Sequence, residues 1–108
     1  MEEAKSMAAS TARIATARIK TANGRRYMTQ LCKHWAHKFE VVHDENQGLV
    51  PFSPDRRCRM AADGEGLTLT IEVEDAAQLE RMQEVVIDHL KRFAFREDLG
   101  EVAWTAVR

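Results

Sequence analysis

The stretch LTLTIEVE, Leu67 to Glu74, alternates cleanly. Leu67, Leu69, Ile71 and Val73 share one side, and Thr68, Thr70, Glu72 and Glu74 share the other. A period of two over eight residues predicts a half-buried β-strand. RRCRMA just before it alternates too, with Cys58 and Met60 opposite Arg57 and Arg59, and DGEG between them reads as a tight turn. Upstream, EVVHDENQGLVPF reads as strand, polar turn and strand, with Pro51 suited to an edge or a strand end. TARIATARI, Thr11 to Ile19, reads as a first strand. Its repeated TARI, offset by five, sends the two copies to opposite faces, so the repeat carries no function.

Two segments follow the helical period instead. In TANGRRYMTQLCKHWAHKF, with Thr21 or Asn23 as the cap, Met28, Leu31, Cys32, Trp35 and Phe39 fall on one stripe. After a capping Asp75, Ala76 to about Phe95 repeats the pattern through Leu79, Met82, Val86, Leu90 and Phe93. EVAWTAV follows Gly100 as a last strand, with Val102, Trp104 and Ala106 on one face. Two amphipathic helices need one apolar surface to cover. The pattern therefore predicts an α+β fold: an antiparallel sheet with both helices on one face, in the order strand, helix, three or four strands, helix, strand. Residues 1–9 lack a period and read as a flexible arm, leaving 10–108 as a single domain.

At 108 residues, 44% hydrophobic and 31% charged, the chain suits one globular domain. No apolar run reaches the roughly 20 residues of a membrane span, and the acidic N-terminus does not resemble a signal peptide. Two cysteines that read as thiols agree with a cytoplasmic location. The near-zero net charge hides an asymmetry. Residues 1–38 carry eight Lys/Arg against two Glu, whereas residues 39–108 carry eight against fifteen Asp/Glu. A basic helix lying beside an acidic one accounts for this. A basic face for an anionic partner is the functional alternative.

Chemistry concentrates in LCKHWAHKF. Cys32 lies inside the apolar stripe, and His34, two residues on, is about 160° away around the helix. The two cannot hold one ion, so Cys32 reads as a small buried hydrophobe. His34 and His37 stand at i and i+3 and can share a metal with a third ligand from His43, Asp44 or Glu45, although Lys33 and Lys38 beside them repel a cation. His89 reads as a core-edge histidine. Arg25 and Arg26 fall in the first turn of the helix, where cations oppose the dipole and an anion would meet free N–H groups. Nucleophile and zinc-protease motifs are missing, and strand alternation turns Cys58 away from Arg57 and Arg59, so an enzyme is not expected. Nucleic-acid binding is disfavoured as well, because Trp35 and Phe39 belong to the core and leave no stacking platform.

YMTQLCKHWAHKF, LTLTIEVEDAAQLERMQEVV and DHLKRFAFRE resemble the bacterial domain-of-unknown-function family 2218, over about Ser10 to Trp104. The turn at NGRRY looks slightly longer than usual for that family. The resemblance implies no assigned activity and no established site residues. Some relatives are attached to, or near, siderophore-interacting flavin reductases, which implies a link to iron handling. The expectation is thus a non-catalytic binding module with no bound cofactor assigned. Its ligand would be an anionic small molecule or iron chelate, held by His34, His37, Arg25 and Arg26, and its protein partner a siderophore-linked reductase. The alternative is a protein-interaction or homodimerising domain, with the first strand as its open edge.

Overall fold

The computed structural model describes residues 12–107, so the expected arm over 1–9 lies outside the described residues. The elements are β1 (Arg13–Lys20), α1 (Gly24–Trp35), β2 (Val42–His43), β3 (Gln47–Ser53), β4 (Arg56–Ala62), β5 (Gly66–Val73), α2 (Leu79–Phe93) and β6 (Thr105–Ala106). The strands form one antiparallel sheet in the order β2-β3-β4-β5-β1-β6. Register explains which side is buried. Ala17, Leu69, Met60 and Gly48 lie in one row across four strands, and Ala15, Ile71, Cys58 and Val50 lie in the next. These rows face α1 and α2, which close over them with Met28, Leu31, Cys32, Met82, Val86 and Leu90, all buried. The α+β architecture read from the pattern is the one observed, with four strands between the helices. The TARI copies part as the alternation requires: Ile19 is in the core and Ile14 is on the outer side, paired with Glu72.

Several boundaries move. α1 stops at Trp35, and Phe39 sits beyond a turn, edge-on to Phe52 with ring centroids 5.1 Å apart. Neither expected side chain caps α1. Thr21 Oγ1 accepts from the Asn23 amide, and Asn23 occupies the cap position without a side-chain bond to the helix. Asp75 does cap, accepting from the Ala77 amide, but it starts a 3-10 turn, Ala76–Gln78, that leads into α2. The expected last strand shrinks to Thr105–Ala106. After Gly100, in the left-handed region at φ 72°, Val102 and Trp104 pack against the core while Ala106 is exposed. β1 is not the outermost strand, since β6 pairs with it at Ala15 and Thr16. Pro51 is tolerated because β2 pairs only with Leu49 and Gly48. That leaves the later part of β3 unpaired on one side, with a bulge between Pro51 and Ser53.

Two contacts fix α1 on the sheet. Gly48 lies beneath it so closely that a Cβ there would come 2.7 Å from Cys32 Sγ. At the start of α1, a Cβ on Gly24 would meet the Gly66 carbonyl oxygen at 2.6 Å. A polar clasp then joins this end to the chain after α2. Glu97 accepts from Tyr27 Oη at 2.5 Å, from Thr21 Oγ1 at 2.9 Å and from Asn23 Nδ2 at 3.3 Å. The Tyr27 bond, followed by that of Thr21, holds the Glu97 carboxyl below its ordinary range. The same bond, with burial, raises the Tyr27 hydroxyl.

The clasp has a defined pH signature. A carboxylate whose folded pKa is depressed stabilises the fold above its unfolded value, near 4.5, and loses that contribution as pH falls through the folded value. Tyr27→Phe should cost about 1–3 kcal/mol in urea unfolding at pH 7, as expected for a hydrogen bond to a charged acceptor. Glu97→Gln should flatten the loss of stability below pH 4.5. The helix seat is testable by a double-mutant cycle. Gly48→Ala should destabilise by about 1–3 kcal/mol through overpacking, and less when Cys32→Ala is also present. Additive losses would deny the contact.

Candidate functional site

The buried stripe of α1 leaves its polar residues on the outside, and they divide between two ends. Arg25 and Arg26 open the helix, whereas His34 closes it and His37 lies in the following turn. At 1.5 Å per residue the two pairs are roughly 15 Å apart. The structure therefore does not bring His34, His37, Arg25 and Arg26 into one site.

At the first end, Arg25, Arg26, Thr29, Gln30, Lys33 and Glu45 line a shallow cleft of about 350 Å³. Arg25 Nε donates to Asn46 Oδ1 at 3.0 Å, which orients the guanidinium and occupies one of its N–H groups. Gln30 Oε1 is buried with no hydrogen-bond partner, and among the described residues it is the one such side-chain atom. Rotation of that amide would present its NH₂ group instead. Sequence reasoning found the two arginines but missed Gln30 and Lys33 as neighbours. Their i+4 and i+7 spacing from Arg26 was the available signal.

At the second end, His34 is exposed and turns toward α2 rather than pairing with His37. Its ring lies 5.2 Å from that of His89, 6.2 Å from Trp35 and 6.0 Å from Phe93, measured between centroids. Partial loss of water around the ring, then the charges of His89 and His37, lowers its pKa from the ordinary histidine value. His89 is half-buried at the core edge, and its Nδ1 meets the Val85 carbonyl oxygen at 2.8 Å. No group of three or more His, Cys, Asp or Glu among the described residues is arranged to hold a metal ion.

The helix-free face of the sheet carries ion pairs. Glu72 bridges Arg57 Nε at 2.7 Å and Arg59 Nε at 2.9 Å, and Arg18 holds Asp63 at 3.0 Å. Burial pushes the Glu72 pKa up, but the hydrogen bonds from Arg59 and Arg57 outweigh it, and the net direction is down. Beside this network a concavity of about 540 Å³ is lined by Val42, Leu49, Arg59, Ala61, Thr68 and Thr70, among others.

Both thiols lie on the other side of the sheet, Cys58 on the buried face of β4 and Cys32 on α1 above it. Burial raises Cys32 to about 11; burial, and then the nearby Cys32, raises Cys58 to about 12. Both shifts disfavour a thiolate near neutral pH, and both side chains are buried. A disulfide reagent at pH 8 should modify neither thiol in native protein and both in urea. Labelling of one thiol under native conditions would show that it opens to solvent.

The family model described as an uncharacterised protein conserved in bacteria, domain-of-unknown-function family 2218, matches residues 16–105. The solved structure of PA4090 from Pseudomonas aeruginosa, determined by NMR, is similar at 35% identity and a TM-score of 0.73, covering 86% of this chain and 95% of that one. No curated protein matches. With the match running from β1 into β6 and the fold shared by PA4090, this chain belongs to domain-of-unknown-function family 2218.

Proposed function

We propose that the protein is a non-catalytic binding module that takes an anionic small molecule in the basic cleft of α1. In the narrower form the molecule is an iron chelate of the siderophore class, with a siderophore-linked reductase as the partner. The composition of the cleft carries the reading: its lining sets Arg25, Arg26 and Lys33 against one carboxylate, Glu45, and Arg26 also interacts with Glu97 of the clasp. The first turn of α1 has no acidic residue and no side-chain cap, so the helix dipole adds to the positive field, offset in part by the Glu97 carboxylate held at Asn23 and Tyr27. The buried thiols and the ion-paired carboxylate of the open face support a non-catalytic role. The iron form rests on the family resemblance and on charge. A ferric chelate with net negative charge suits three cations, whereas a bare metal ion does not.

A second reading, a protein-interaction or homo-oligomerisation domain, is favoured by the uncovered sheet face, where Val42 is 69% exposed beside the concavity. Sedimentation over a wide concentration range separates the two. A strict monomer removes the homo-oligomer form, and a dimer weakened by Val42→Asp supports it.

Citrate, ferric citrate and inorganic phosphate, titrated separately against isotope-labelled protein, test the anion site. The expected result is saturable shifts at the amides of Arg25, Arg26 and Lys33. Affinity should fall as salt rises, and by roughly tenfold or more, at least 1.4 kcal/mol, in the Arg25→Gln/Arg26→Gln double variant. No shift at these amides up to millimolar concentrations of all three probes would reject the site. Shifts with citrate but not with ferric citrate would retain the anion site and remove the iron form.

A further inference from the structure

We propose that His34 on α1 and His89 on α2 together form a divalent transition-metal site, with two imidazole ligands from two helices and water completing the coordination. The site lies at the far end of α1 from the basic cleft and does not depend on the anion-binding reading.

Three observations carry it. The first is distance. Two imidazole nitrogens, each about 2.0–2.1 Å from a tetrahedral metal, put their ring centroids on the order of 5 Å apart. The centroids of His34 and His89 are 5.2 Å apart, with the planes tilted by 48°. The second is the tautomer of His89. A carbonyl oxygen only accepts, so Nδ1 of His89, 2.8 Å from Val85 O, carries the proton. The lone pair is thereby left on Nε2. A backbone carbonyl that fixes the remote ring N–H is the usual outer support of a metal-binding histidine. The third is support on both elements. His34 is in the last turn of α1, and His89 is on α2 between Val86 and Leu90, which are buried. Trp35 contacts both rings, at 6.2 Å and 5.1 Å between centroids.

The charges around the pair set its strength. His37, Arg92 and Lys38 all act on His34, and each disfavours added positive charge there. The balance points to a site that fills at micromolar metal and not to a tightly held structural ion. Zinc, nickel and copper(II) are the cations that imidazole pairs prefer.

The test uses Cu²⁺, which quenches nearby indoles, on the full chain carrying Trp104→Phe so that Trp35 is the remaining tryptophan. Quenching should saturate at one Cu²⁺ per chain. Zn²⁺ should compete, and binding should weaken as pH falls through the histidine range. His34→Gln changes an exposed side chain and should raise the midpoint at least tenfold. His89→Gln should do the same, and thermal melting reports whether that variant is folded. His37→Gln should leave the midpoint within about twofold, because His37 is not a ligand of this site and Arg92 and Lys38 keep their charges. Nitrogen NMR with Zn²⁺ should shift Nε2 of His89 and not its Nδ1. Unsaturable quenching, full binding by His34→Gln, or equal loss in His37→Gln and His34→Gln would each overturn the assignment.

Discussion

Cys32 packs against the backbone of Gly48, and the rotational setting of α1 follows from that contact. The sulfur comes so close to the strand that a methyl group on residue 48 would overlap it. With this point fixed, Met28, Leu31 and Trp35 on the same helix are turned to the sheet. The 3.6-residue period then leaves Arg25, Arg26, Lys33 and His34 on the outside. Both polar ends of α1 thus owe their exposure to one helix–strand seat. The cysteine is there for its size and apolar character and not for its chemistry, in keeping with a thiol pushed to about 11.

The clasp of Tyr27, Thr21 and Asn23 on Glu97 acts at a second level. It joins the β1–α1 turn to the segment after α2, so two distant parts of the chain share one carboxylate. The Tyr27 ring is buried with the core while its hydroxyl reaches this acceptor, a division of labour suited to an amphipathic aromatic. On the other face of the sheet, Glu72 performs a comparable service for Arg57 and Arg59, which would otherwise repel each other from neighbouring positions on one strand.

Local pattern made much of this legible. Alternation in Leu67–Glu74 and in Arg56–Ala61 predicted inward and outward residues that the burial confirms, and the two helical stripes identified the core side of α1 and α2. What failed was non-local. The last strand looked continuous because Val102, Trp104 and Ala106 alternate, yet Val102 and Trp104 pack against the core outside the sheet, and only two residues pair with β1. Tyr27, one turn before Leu31, belongs to the same stripe and was overlooked; what the period does not show is the acceptor for its hydroxyl, Glu97, seventy residues away. The histidines show the same limit. Spacing within one helix pairs His34 with His37, but the ring that packs against His34 comes from α2. The separation of Arg25 and Arg26 from His34 and His37, by contrast, was available from the helical rise alone.

The seat of α1 can be measured directly in solution by NMR with a soluble paramagnetic agent, combined with proton–proton contacts at Gly48. The Cys32–Gly48 seat predicts a contact between the Gly48 Hα protons and the Cys32 Hβ protons. It also predicts strong relaxation of the Arg25, Arg26, Lys33 and His34 side chains and protection of Met28, Leu31 and Cys32. A relaxed Cys32 together with a protected His34 ring, or no contact between Gly48 and Cys32, would contradict it.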